Sequence, residues 1–240
     1  MAEERLQNII ARAGFASRRK ASALVEAGRV TVDGVTVTRP CERFDPERAQ
    51  ICIDGRPLPP PERRLTIVLN KPAGVLSTMS DPFGGKTVAD LVRGVPARVV
   101  PVGRLDKDSE GLLLMSSDGD LVNRLTHPRF GHEKTYVVEV AGRWSDEKLA
   151  TLRSALQMPD GYVIRPTPVK VLKPAERNVT TLEFRLREGR KRQIRYMCSA
   201  AHLVVLSLKR VAVGSFRLPE NLPPGAWREL AKEELDGLFR

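Results

Sequence analysis

Apolar residues recur at helical spacing from the start of the chain, at Leu6, Ile9, Ile10 and then Ala13, with Gly14 where a helix end favours it. Ser17 offers an N-cap to a second helix whose inward stripe is Ala21, Leu24 and Val25, ending at Gly28. Val30-Thr31-Val32 then alternates as a strand and runs into Asp33-Gly34, a hairpin signal. Ile51-Cys52-Ile53-Asp54-Gly55 repeats the strand-and-turn pattern. Pro57-Leu58-Pro59-Pro60-Pro61 follows as a stiff, extended connector, so the pattern predicts a small domain over 1–60 and a larger one over 61–240.

Beyond the connector the periods mix. Residues 65–70 read as a strand, Lys71-Pro72-Ala73-Gly74 as a turn, and 87–93 as a short helix after Gly84-Gly85. A strand is expected at 112–116, and Asp118-Gly119-Asp120 then caps a helix over 121–126. Further strands are expected at 135–140, 169–172 and 180–186, with a helix over 146–156. No regular strand–helix–strand alternation emerges, and neither Gly-x-Gly-x-x-Gly nor a Walker loop occurs, which disfavours a dinucleotide or ATP site. The expected class is α+β: a small helix-helix-strand domain, then a domain with a mixed, mainly antiparallel sheet flanked by helices.

Charge changes the picture. Among 240 residues, 40 are Lys or Arg and 29 are Asp or Glu, a net +11 that makes nucleic acid the first partner to consider. No apolar run reaches the length of a spanning helix, and Met1-Ala2-Glu3-Glu4 lacks the basic-then-apolar order of a signal peptide, so no membrane partner and a cytoplasmic location are expected. Cys41, Cys52 and Cys198 are odd in number and widely spaced, and with His127, His132 and His202 they form no ligand spacing. No metal is expected.

Three clusters carry candidate chemistry. Arg18, Arg19 and Lys20 open the second helix, where the macrodipole disfavours cations; the placement suits a bound polyanion, against the competing reading of a solvated face. Gly103-Arg104-Leu105-Asp106-Lys107-Asp108-Ser109-Glu110-Gly111 sets a carboxylate on a turn before the apolar run Leu112-Leu113-Leu114, and Asp106 is either presented to a ligand or merely caps the turn. The stretch 185–195 holds six cations and one acid and leads into Tyr196-Met197-Cys198. A strand turning at Gly189 into a helix would point at least one of those cations into a cleft, where Asp106 is the natural carboxylate to receive it.

Taken in order, these motifs match a family. Residues 5–34 resemble an S4 RNA-binding domain. Gly103-Arg104-Leu105-Asp106, Glu133-Lys134-Thr135-Tyr136 and Gly189 to Met197 resemble the RsuA, RluB, RluE and RluF type of pseudouridine synthase, and Gly225 to Leu230 resembles its closing segment. Lys107-Asp108-Ser109 and the Arg-Gln-Ile-Arg block are most similar to the RluF branch, although Tyr196 replaces an Arg found there. The resemblance implies isomerisation of a uridine to pseudouridine in ribosomal RNA, foremost 23S, with 16S rRNA or tRNA as alternative targets. It implies no cofactor and a monomer. It gives Asp106 as the catalytic carboxylate, Tyr136 as the ring against the base, and Arg195, with Arg192 second, as the partner of Asp106. Arg104, Lys134, Arg190, Lys191, Arg192 and Gln193, with Arg18, Arg19 and Lys20, are the expected RNA contacts. On strand propensity alone, Tyr136 would read as a core tyrosine. A glycosidase built on Asp106 with Asp108 or Glu110 would want two carboxylates flanking an open cleft, and cationic surroundings suit phosphate better. A noncatalytic RNA-binding protein leaves the second domain unexplained.

Overall fold

The computed structural model describes residues 3–60 and 63–239. The boundary expected between residues 60 and 61 falls against Pro61 and Glu62, which lie outside the described residues. Two compact units are present: one takes the chain up to Leu65 with the short segments Val95–Val99 and Ser117–Gly119, the other takes the rest.

In the first unit, helices Leu6–Arg12 and Arg18–Glu26 pack over a sheet in the order Val35–Val37, Val30–Val32, Ile51–Ile53, Arg56–Pro57. The predicted cap forms, with the Ser17 hydroxyl accepting the Lys20 amide proton at 3.3 Å. Leu6, Ile10, Ala21, Val25 and Val30 are fully buried, the face that the helical spacing marked. Asp33 and Gly34 both take positive φ, 50° and 80°, as the tight hairpin requires. One expectation needs correction: Pro57 is not yet connector but pairs with Cys52. It does so at the sheet edge, where its missing N–H costs nothing.

The second unit is built on a sheet whose strands run Val169–Glu176, Val179–Leu186, Lys134–Ala141, Val204–Val213, Glu110–Ser116, Thr66–Lys71, Trp227–Glu229. Its pairings are antiparallel except that Val204–Val213 lies parallel to Glu110–Ser116. The sheet is therefore mixed and mainly antiparallel. Thr66–Lys71 is buried at every residue, as are the six residues that follow Glu110 in Glu110–Ser116, which fits a central strand covered on both faces. The parallel contact demands a glycine: a Cβ on Gly111 would lie 2.3 Å from the Arg210 carbonyl oxygen, and its φ is 98°. The expected helix over 146–156 stops at Arg153, because residues 156–157 instead pair with Val163–Ile164. No helix among the described residues is long and apolar enough to cross a membrane.

Candidate active site

Asp106 sits half-buried on the loop between the strands Val100–Pro101 and Glu110–Ser116. The backbone of this loop is gripped from three sides. The Ser77 hydroxyl donates to the Leu105 carbonyl at 2.8 Å and accepts the Leu105 amide at 3.1 Å. The Gly74 amide donates to the Lys107 carbonyl at 2.7 Å. From beneath, Lys71 donates its ammonium to the carbonyls of Ser109 at 2.7 Å, Pro72 at 3.1 Å and Asp106 at 3.2 Å. Lys71 is fully buried, and burial brings its pKa down to about 8, although the charges of Asp108, Asp106 and Glu110 act the other way. Among the described residues, the Asp106 carboxylate itself has no hydrogen-bond or ion-pair partner. Its backbone is thus fixed by neighbours that do not bond the carboxylate.

The helix Gln193–Ala200 supplies the nearby cations, and here one expectation is corrected. Arg195 Nη2 lies 3.1 Å from Asp108 Oδ2 and donates to the Asp108 carbonyl at 3.0 Å, so its ion pair is with Asp108 rather than with Asp106. Arg192 joins the same carboxylate, with Nη1 at 3.1 and 3.3 Å from its oxygens. The reason is local geometry. Arg192 takes a left-handed backbone, φ 54°, at the helix N-cap, and Arg195 is one turn further along the same face, so both reach one carboxylate. Burial pushes the Asp108 carboxyl up, but the hydrogen bond from Arg192 and the charges of Arg195 and Arg192 outweigh it and leave its pKa below the ordinary value. Among the described residues, Arg195 Nε is buried without a hydrogen-bond partner, so that guanidinium keeps an unused donor.

Tyr136 enters along the sheet. It lies opposite Phe184 on one side and Arg210 on the other; Arg210 lies opposite Gly111, and Gly111 opposite Lys71. A single row of paired residues thus runs from Tyr136 to the lysine under the Asp106 loop. At about 4.8 Å per strand step, roughly 10 Å separates the Tyr136 and Gly111 backbones. Tyr136 is buried, and its hydroxyl has no partner among the described residues. Arg210 is buried too and donates through Nε to the Leu112 carbonyl at 2.7 Å. Lys134 donates to the His132 carbonyl at 2.9 Å, and burial, with the Arg210 charge behind it, brings its pKa down to about 8.

The remaining expected contacts divide. Gln193 is buried: its amide donates to Glu188 at 2.8 Å and accepts the Arg190 amide at 3.1 Å, so it ties the basic turn together instead of facing out. Tyr162 bonds the same Glu188 at 2.6 Å, and the Arg190 guanidinium stacks 3.6 Å above the Tyr162 ring. Tyr196 donates its hydroxyl to the Gln157 carbonyl. Arg104, Lys191 and Arg192 are exposed, as are Arg18, Arg19 and Lys20 in the first unit. Among the described residues no group of His, Cys, Asp or Glu could hold a metal ion. The sequence pattern did not mark Lys71 or Ser77 as site residues, and it did not give Asp108 as the partner of Arg195. A signal existed for Lys71, since it closes a run buried on both faces and must therefore put its charge into the protein.

Comparison with known proteins shows the family. Residues 65–200 match the family described as RNA pseudouridylate synthase, and residues 4–47 match the S4 domain. The chain is 38% identical over 241 residues to an "Uncharacterized RNA pseudouridine synthase" of Aquifex aeolicus, covering 100% of this chain and 95% of that one. It is 37% identical over 236 residues to "Ribosomal large subunit pseudouridine synthase B" of Bacillus subtilis, covering 98% and 95%. A solved structure described as "Crystal structure of pseudouridylate synthase" superposes with a TM-score of 0.70 at 26% identity, covering 98% of this chain and 99% of that one.

Proposed function

The chain belongs to the RNA pseudouridylate synthase family, and from that premise we propose that it converts a specific uridine of 23S ribosomal RNA to pseudouridine, with Asp106 as the catalytic carboxylate. The observation that carries this is the Asp106 loop: Lys71 and Ser77 hold it through backbone atoms and Arg192 and Arg195 through the Asp108 carboxylate, while the Asp106 carboxylate has no hydrogen-bond or ion-pair partner among the described residues. The name carried by the Bacillus subtilis relative supports the large-subunit target.

The reaction breaks the N1–C1′ bond, turns the base and joins C5 to C1′. C5 loses a proton and N1 gains one, so the product is an isomer and no cofactor is consumed. An ionised carboxylate at the ribose serves this chemistry either by attacking C1′ or by removing the proton at C2′. In this reading Tyr136 packs against the flipped base, which must leave its stack to be reached. Arg195 and Arg192 act through Asp108 as positioning residues that hold the far side of the Asp106 loop. Lys71, Lys134 and Arg210 keep the surroundings positive, which favours the phosphates of the strand. Residues 1–60 are the RNA anchor and 61–240 the catalytic domain. In this reading the protein acts as a monomer, in the cytoplasm with the ribosomal RNA.

The test is to incubate the protein with unmodified transcripts of 23S rRNA, 16S rRNA and tRNA and to map pseudouridine by carbodiimide-induced reverse-transcription stops. One new stop in 23S is expected. A stop confined to 16S or tRNA would overturn the target, and no stop in any transcript would overturn the activity.

A further inference from the structure

The loop 77–87 presents a side chain that folding does not explain. Phe83 is 94% exposed, and Met79 on the same loop is 39% exposed. A buried Phe contributes about 1.5–3 kcal/mol that an exposed one does not, so Phe83 adds nothing comparable to the stability of this unit.

The loop is nevertheless well fastened. The Leu76 amide donates to the Lys86 carbonyl and the Val88 amide to the Leu76 carbonyl, both at 2.9 Å, which clasps its two ends. Inside it, Asp81 Oδ2 accepts the Gly85 amide at 2.8 Å. A Cβ on Gly85 would lie 2.6 Å from that oxygen, so a glycine there lets the carboxylate close the loop. The near end is bonded through Ser77 to both backbone groups of Leu105, the residue before Asp106. An ordered loop thus carries an unpartnered aromatic ring and is anchored to the catalytic loop itself.

We propose that Phe83, with Met79, is a wedge that packs against nucleobases flanking the target uridine. This rests on the reading of the chain as an enzyme acting on RNA. Two observations choose the occupant: the loop is hydrogen-bonded through Ser77 to Leu105 beside Asp106, and the chain carries +11, so the polymer drawn to this face is a polyanion. Flipping a nucleotide leaves its neighbours unstacked, and an aromatic side chain is a sequence-tolerant substitute for the lost stack.

The experiment uses the full chain and a 23S fragment bearing the mapped uridine. Phe83→Ala is expected to weaken binding by about fivefold to a hundredfold, with no change in the slope of log affinity against log salt, because no phosphate contact is lost. Its melting temperature should match wild type. Phe83→Trp should keep the affinity, and in an Asp106→Asn background the introduced indole should be quenched by the RNA beyond any change at Trp144 and Trp227. That readout needs no turnover. Equal affinity of Phe83→Ala and wild type, or an unquenched indole, would overturn the wedge while leaving pseudouridine formation by wild type intact. Failure of wild type to form pseudouridine would instead overturn the activity, whatever the indole reports.

Discussion

Lys71 donates its buried ammonium to the carbonyl oxygen of Asp106 at 3.2 Å, and so holds the loop from behind without touching the carboxylate it presents. The same ammonium reaches the carbonyls of Pro72 and Ser109. Carbonyls converging on one interior point would be costly without a cation, and a cation there would be costly without them.

Lys71→Met keeps length and apolar bulk but leaves those carbonyls unpaired, so the Asp106 loop should relax. An activity loss of about tenfold to a hundredfold is expected, the scale of a roughly 1 Å displacement of a reacting group. RNA affinity should change little. Single-turnover rates against direct binding separate the two, and a variant with wild-type turnover would show that the loop holds itself.

Lys71 also leaves a signature in pH. Its folded pKa is about 8, whereas the unfolded chain keeps the proton to about 10.4. Below about 8 both states are protonated and the penalty is constant; between about 8 and 10.4 the unfolded state binds more protons, so stability rises with pH. Urea midpoints of wild type should therefore improve relative to Lys71→Met from pH 8 to 10, and not from pH 6 to 7. A constant offset across the range would contradict the assignment.

Asp108 is held by both Arg192 and Arg195, which makes it a fixing point for the loop. Asp108→Asn and Arg195→Lys should each lower turnover by about tenfold, and the double variant should be little worse than either, since both remove one interaction. Fully multiplicative losses would mean that Arg195 acts elsewhere, on Asp106 or on the RNA.

The first unit and most of the sheet were legible because Ser17, Asp33-Gly34 and the apolar periods at Leu6–Ile10 are local signals, and local signals decided the structure there. The central strand Val204–Val213 was not foreseen. Its run Val-Val-Leu-Ser-Leu-Lys-Arg-Val-Ala-Val lacks clean alternation, because bulges shift its register against Lys134–Ala141 and Arg210 is buried rather than turned to solvent. Asp106 and Tyr136 were marked by motif. The choice between Asp106 and Asp108 as the partner of Arg195 was not, because two residues of spacing on a turn do not fix which carboxylate a helix one strand away will meet.

Arg18, Arg19 and Lys20 are exposed at the start of their helix and make no ion pair among the described residues. Changed together to Ala, they should lower affinity for 23S fragments and reduce the slope of log affinity against log salt by up to about two to three units, at roughly 0.7–0.9 per phosphate contact. The chemical step on saturating RNA should survive. An unaltered slope would show the three cations to be solvent-facing only.

The most direct measurement is pseudouridine formation by Asp106→Asn in a single turnover on the mapped 23S fragment, with binding and melting recorded on the same sample. Asparagine keeps the shape, and none of the contacts that hold the loop uses the Asp106 side chain, so fold and affinity should stay near wild type while product falls below detection. Product forming at near the wild-type rate would contradict the assignment of Asp106 as the catalytic carboxylate.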